Sequence, residues 1–198
     1  RVRATKTRGT AKSRAPAAAK KRGAKKSWKN RAAAVEGARE GDFPRDFLPE
    51  LTTLRQHAPR GDDWVHEVKW DGYRLLTSID EGRVLLRSRS GLDWSDKFPE
   101  IAAELESLGV DRARLDGELV ALDAQGRSDF SELVRALKSS RPERLAYVLF
   151  DLPALEGFDL SACALVERKA LLKDLLAASP RERLVYSEHL VGRGPDVF

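Results

Sequence analysis

The residues best suited to chemistry stand together in Glu67-Val68-Lys69-Trp70-Asp71-Gly72-Tyr73-Arg74. Read as one strand, the run places Glu67, Lys69 and Asp71 on one face and Val68 and Trp70 on the other, because successive side chains alternate. Such a lysine attacks phosphorus only if burial or a nearby cation favours its neutral form. The two flanking carboxylates work the other way, and a bound metal ion would reverse the balance. On spacing alone the segment reads more simply as an amphipathic surface strand with salt-bridging charges. Glu118 is the second notable residue. It interrupts an apolar run over 114–122, where a carboxylate is costly unless it is paired, metal-bound or facing a cleft.

The elements that would position these groups follow from periodicity and turn chemistry. Residues 64–79 are rich in β-branched and aromatic side chains, and 83–88 follow the turn Asp80-Glu81-Gly82, which predicts a hairpin. Residues 98–108 carry Ile101, Ala102, Leu105 and Leu108 at helical spacing, with Pro99 in the first turn and Gly109 beyond the end. A strand over 114–122, a short helix over 130–138, an apolar strand over 145–152, an amphipathic helix over 165–178 and a strand starting at 184 complete the series. Trp94 and Phe98 fall at helix-start spacing and read as core. Mostly antiparallel strands with interspersed helices predict an α+β domain.

Charge divides the chain. Residues 1–40 hold 14 Lys/Arg against Glu36 and Glu40, or +12; the remaining 36 − 14 = 22 basic and 31 − 2 = 29 acidic residues give −7, for the net +5. Composition predicts a disordered basic linker over 1–42, either a tether for polyanions or a solvated spacer, and one domain over 43–198. A single cysteine, Cys163, allows no internal disulfide, and His57, His66 and His189 lack zinc spacing. Without an apolar run of 18 residues or a signal peptide, the expectation is a cytoplasmic protein with no membrane partner. With Arg at position 1 and no methionine, the chain reads as an internal piece of a longer one.

Four segments in order carry a resemblance. Lys69-Trp70-Asp71-Gly72 followed by Arg74 resembles the lysine-any-Asp-Gly signature of covalent nucleotidyltransferases. Residues 86–94 (Leu-Arg-Ser-Arg-Ser-Gly-Leu-Asp-Trp) with Phe98-Pro99, Leu115-Asp116-Gly117-Glu118-Leu119-Val120, and Val148-Leu149-Phe150-Asp151-Leu152 are similar to the segments that follow it. His66-Glu67-Val68-Lys69, Gly91-Leu92-Asp93-Trp94, Glu167-Arg168-Lys169 and Tyr186-Ser187-Glu188-His189 favour the ligase domain of bacterial ligase D, an ATP-dependent DNA ligase of non-homologous end joining.

The resemblance implies an ATP-grasp-like nucleotidyltransferase (DNA ligase adenylation) domain of antiparallel sheets with flanking helices. It implies that Lys69 takes AMP from ATP and that Mg²⁺ or Mn²⁺ offsets phosphate charge. Glu67 and the backbone at Val68 would read adenine, Arg74 and Arg89 would hold ribose and phosphates, Glu118 would contact ribose or metal, and Phe150 would stack on the base. For the arginines the plainer reading is a surface ion pair, and for Phe150 ordinary core packing. The family's remaining motifs, an acidic Glu-Gly strand and a lysine pair, and its OB-fold domain would lie beyond Phe198, so the domain is expected to be incomplete. Implied partners are DNA nicks and double-strand break ends, a Ku-like end-binding protein and linked domains, at the bacterial nucleoid. An RNA ligase or capping-type enzyme, and a non-catalytic DNA-binding fragment, are the alternatives. The absence of a Gly-rich loop ending in Lys-Ser or Lys-Thr disfavours a P-loop ATPase.

Overall fold

The computed structural model describes residues 27–51, 53–54, 56–59, 61–139, 145–178 and 180–192. Helix α1 covers 27–33, followed by strands β1 (Arg39–Glu40), β2 (Val65–Glu67), β3 (Tyr73–Asp80) and β4 (Arg83–Ser88). After a 3-10 turn at Ser95–Lys97 come α2 (Pro99–Glu106), β5 (Arg112–Ala121), α3 (Phe130–Ser139), β6 (Leu145–Leu155), β7 (Phe158–Asp159), α4 (Leu165–Ala177), β8 (Leu184–Tyr186) and β9 (His189–Val191). The main sheet runs β1-β7-β6-β5-β3-β4, antiparallel apart from β8, which pairs with β6 in parallel; β2 and β9 form a separate antiparallel pair. The α+β expectation holds. No helix among the described residues is long and apolar enough to cross a membrane.

Each hairpin turn comes from local chemistry. Glu81-Gly82 and Glu156-Gly157 all have positive φ, the pairing that two-residue hairpins with right-handed strand twist demand. The first turn matches the expected hairpin. The second was not anticipated: the strand expected over 145–152 continues to Leu155 and folds back as β7, because Glu156-Gly157 makes the same turn as Glu81-Gly82.

The main core lies on one face of the sheet. Odd-numbered residues of the long strands, including Leu75, Leu115, Leu119, Tyr147 and Leu149, pack with Phe98, Ile101 and Leu105 of the α2 region and Leu172, Leu175 and Leu176 of α4. Trp94 and Phe98 meet edge to face, as their core assignment requires. A smaller cluster on the opposite face gathers Val120, Ala146 and Val148 with Trp70, Leu122 and Val185. Even positions of β3 and β5, and of β6 before its bulge, therefore lie on the face opposite the main core, whereas beyond the bulge Leu152 returns an even position to that core.

The expected boundary at residue 42 moves. Residues 1–26, with 11 of the 14 Lys/Arg of residues 1–40, lie outside the described residues, as do the last residues, 193–198. Residues 27–42 form α1 and β1 and belong to the domain. Trp28 and Ala32 are buried in the main core, Arg31 pairs with Asp174 of α4, and β1 extends the sheet beside β7. Lysine-rich composition hid two apolar side chains one helical turn apart.

Two backbone approaches tolerate no side chain. A Cβ on Gly117 would stand 2.4 Å from the Val148 carbonyl oxygen and 2.6 Å from the Tyr147 ring. Gly117→Ala is therefore expected to destabilise the fold by about 3 kcal/mol or more, and Trp28→Ala by about 3 kcal/mol, both measured by urea denaturation. A Trp28→Ala midpoint equal to wild type would remove α1 from the cooperative unit.

Candidate active site

The single strand expected over 64–79 is two strands with a break. β2 ends at Glu67, β3 begins at Tyr73, and Lys69 rides the connecting loop. Three anchors hold that loop. The Trp70 indole packs in the smaller cluster and donates Nε1–H to the Ser187 hydroxyl at 3.1 Å. The Asp71 amide donates to Ser128 Oγ at 3.4 Å. Gly72 lies against β5, where a Cβ would sit 2.0 Å from the Leu119 carbonyl oxygen. The close approach and the Trp70 anchor bend the chain, so Glu67, Lys69 and Asp71 do not share one wall. Lys69 keeps Asp71 at 4.0 Å with its side chain 89% exposed, whereas Glu67 turns toward α4.

Lys69 opens into a cleft of about 840 Å³ that is also lined by Arg74, Arg89, Glu118, Trp94 and residues 49–51. Antiparallel pairing sets Arg74 directly opposite Glu118. Arg74 Nε and Nη2 donate to the two carboxylate oxygens of buried Asp116 at 2.5 and 2.6 Å, the bidentate fork that suits guanidinium. Arg89 stands exposed on the turn after β4. Sequence reasoning thus brought Lys69, Arg74, Arg89 and Glu118 to one cleft, and Glu118 is half-buried there as an acid in an apolar run should be.

Glu67, Val68 and Phe150 stand apart from that lining. Val68 is exposed beside Lys69. Phe150 follows a bulge: three steps along β5 from Arg114 to Gly117 match five along β6 from Ala154 to Leu149. A bulge re-aims the side chains it carries, and Phe150 is half-exposed on a strand otherwise almost wholly buried, so plain core packing does not describe it. The Arg74 guanidinium lies over its ring, 4.6 Å from the centroid. Glu67 Oε1 accepts from Lys169 Nζ at 2.5 Å, and the same ammonium donates to the carbonyls of Ser187 at 2.9 Å and Phe150 at 3.4 Å.

Asp116 and Lys169 were not singled out from sequence. Asp116 was visible only as part of a motif. Lys169 had a signal of its own: it follows Leu165 by four residues and precedes Leu172 by three, which puts a lysine on the apolar stripe of α4.

The electrostatics are strained on the acidic side. Burial pushes Glu118 above the ordinary glutamate value, although the charges of Arg74 and Lys69 and the Gly72 amide pull it down. Asp116 is likewise raised, first by burial, against the pull of Arg74. Among the described residues no group of three or more His, Cys, Asp or Glu is arranged to hold a metal ion.

An exposed lysine, two arginines and a carboxylate whose charge burial disfavours meet in one cleft on an antiparallel sheet, a set of groups chemically able to carry nucleotidyl transfer. Residues 50–196 match the family model of the ATP dependent DNA ligase domain. A multifunctional non-homologous end joining protein LigD from Pseudomonas aeruginosa is 45% identical over 148 residues, 75% of this chain and 18% of that protein. The Mycobacterium tuberculosis LigD is 38% identical over 139 residues, 70% of this chain and again 18% of the relative. The solved ligase domain of M. tuberculosis LigD superposes with a TM-score of 0.68 at 36% identity, covering 79% of this chain and 50% of that one. A mycobacterial DNA ligase D complexed with ATP and MES gives 0.66 at 35% identity over the same shares. This chain belongs to the ATP-dependent DNA ligase domain family, is similar to the ligase domain of LigD proteins, and spans about a fifth of those curated relatives.

Glu118 gives a pH prediction. A carboxyl raised in the folded state binds its proton more tightly folded than unfolded. The stability it contributes is present below the ordinary value of 4.5 and is lost as pH rises through the folded value. Glu118→Gln should raise the melting temperature at pH 7 and flatten the decline above pH 4.5. A variant less stable than wild type at pH 7 would contradict this account of the site.

Proposed function

We propose that this chain performs the nucleotide-capture step of an ATP-dependent DNA ligase, with Lys69 as the nucleophile. The supporting observation is the placement of Lys69: a solvent-reachable amine on a loop pinned at Trp70, Asp71 and Gly72, opening into the cleft of Arg74, Arg89 and Glu118. The neutral lysine Nζ attacks the α-phosphorus of ATP. A phosphoramidate bond forms, the bond to pyrophosphate breaks, and the attacking nitrogen releases one of its protons to solvent. Pre-positioning the amine removes orientational freedom that would otherwise oppose the reaction. Arg74 and Arg89 bind ribose and phosphate oxygens, Glu67 and the Val68 backbone read the adenine edge, and Phe150 stacks on the base once Arg74 vacates its ring.

A divalent cation, Mg²⁺ or Mn²⁺, fits the residues present in a limited way. Glu118 is one half-buried carboxylate whose charge burial disfavours, and a cation beside it would relieve that penalty. Magnesium is commonly held by one or two carboxylates together with substrate phosphates, which agrees with a site without a protein cage. When bound, the ion would offset charge on the triphosphate.

In the longer protein, a 5′-phosphate oxygen of DNA attacks the lysyl-AMP phosphorus and frees Lys69. The 3′-hydroxyl then attacks the activated phosphate, seals the strand and expels AMP. The substrates are nicks and double-strand break ends, held through backbone contacts that carry no sequence information. A Ku-like end-binding protein and linked domains are the partners, the bacterial nucleoid in the cytoplasm is the location, and residues 1–26 are a basic polyanion tether.

Incubation with α-labelled ATP and Mg²⁺ or Mn²⁺, followed by denaturing electrophoresis, tests the first step. Label is expected on the wild type and none on Lys69→Ala. Equal label on both would move the nucleophile elsewhere, and no label on a chain extended through the family's remaining motifs would overturn the assignment.

A further inference from the structure

The side chain of Lys169 is fully buried on α4, outside the cleft lining and without a part in the chemistry above. A buried ammonium has three protons to place and no acceptor capacity. Lys169 places them on Glu67 Oε1, the Ser187 carbonyl and the Phe150 carbonyl, and its charge also lies 4.8 Å from the Tyr186 ring centroid. These acceptors belong to different parts of the nucleotide wall. Glu67 ends β2 just before Lys69, Phe150 sits at the β6 bulge, and Ser187 is the residue that anchors Trp70.

We infer that Lys169 is a positioning residue for base selectivity, which orients the Glu67 carboxylate so that its second oxygen accepts from an exocyclic amine. This inference rests on Glu67 reading the base, as proposed above. The argument is one of donor and acceptor parity. Lys169 only donates, so the Glu67 atom facing it must be an oxygen. With Oε1 taken by the ammonium, the second oxygen of the carboxylate is left as an acceptor. A 6-amino purine presents a donor to that oxygen, and a 6-oxo purine presents a second acceptor, which repels it. The same ammonium holds the Phe150 carbonyl, so the stacking residue and the edge reader are tied at one point.

Parity also predicts what a neutral amide does. In Glu67→Gln, Lys169 captures the amide oxygen, which forces the NH₂ outward as a donor and shifts preference toward the 6-oxo base. A merely structural lysine gives no reason for that shift.

Equilibrium binding of ATP and ITP to the chain, by titration calorimetry beside a thermal melt, tests this. The ATP-to-ITP affinity ratio should fall about tenfold in Lys169→Met and return in Lys169→Arg. It should shift toward ITP in Glu67→Gln, a shift that is lost in the Glu67→Gln/Lys169→Met double variant. A folded Lys169→Met with the wild-type ratio overturns the inference. If Lys169→Met does not melt cooperatively, a Glu67→Gln that keeps the wild-type preference for ATP overturns it instead. A wild type that does not distinguish ATP from ITP overturns the reading of Glu67 itself, and with it this inference.

Discussion

Everything at the site depends on how closely the Lys69 loop and β5 approach at Gly72. The carbonyl oxygen of Leu119 occupies the space that any Cβ there would need, so only glycine lets β3 begin one residue later in register with β5. That register sets Arg74 opposite Glu118. The second bare position, Gly117, lets β6 close on β5 just where β6 bulges, and the bulge turns Phe150 out under Arg74. The two glycines of Lys-Trp-Asp-Gly and Asp-Gly-Glu are steric holes. Their neighbours Lys69, Arg74 and Glu118 meet in one cleft because the backbone has come close enough to assemble them.

Buried ion pairs then fix α4 to the sheet. Arg168 chelates Asp151 through Nε and Nη2 at 2.8 and 2.9 Å, and the adjacent Lys169 ties Glu67. Removing one partner of such a pair strands a charge, typically at about 3–5 kcal/mol, although the intact pair contributes far less. Specificity of arrangement is the better account of their presence. Arg168 fixes where α4 lies along β6, and Lys169 converts that placement into an orientation of Glu67. Glu118 and Asp116 differ from these pairs, since burial outweighs the cations beside them. The site thus carries unfavourable electrostatics at the position where an incoming cation or hydroxyl would relieve it, as stability–activity trade-offs lead one to expect.

Much of this was legible in the sequence, for identifiable reasons. The α2, α3 and α4 helices came from apolar spacing and the β3–β4 hairpin from Glu81-Gly82. The clustering of Lys69, Arg74, Arg89 and Glu118 followed from motif order. What periodicity could not convey was tertiary. Residues 64–79 have strand composition throughout, and their break at 68–72 is imposed by a strand some fifty residues away, through Leu119. The Glu156-Gly157 turn carried the same local signal as Glu81-Gly82 but was passed over inside an apolar stretch. Trp28 was masked by the lysines around it. The mutual dependence of Glu67 and Lys169 spans 102 positions, beyond any local pattern.

If Phe150 stacks on the base as proposed, its contact with Arg74 is the one that ligand and protein would exchange. In the free cleft the guanidinium chelates Asp116 and covers one face of the Phe150 ring. A base stacking there displaces the cation–π contact, commonly about 0.5–2 kcal/mol, and replaces it with aromatic stacking of similar size. The displaced guanidinium would meet ribose and phosphate oxygens of the same ligand. Nucleotide would thus supply both the new cover for Phe150 and the new counter-charge for Arg74, so opening of the ring is compensated within one binding event. Asp116, buried and already raised above the usual aspartate value, would then lose its cation unless Arg74 keeps one arm on it. That requirement limits Arg74 to a pivot about Asp116, and it favours arginine over lysine here, because a guanidinium can keep a geometrically fixed N–H on the carboxylate while its remaining N–H groups turn to a second anion.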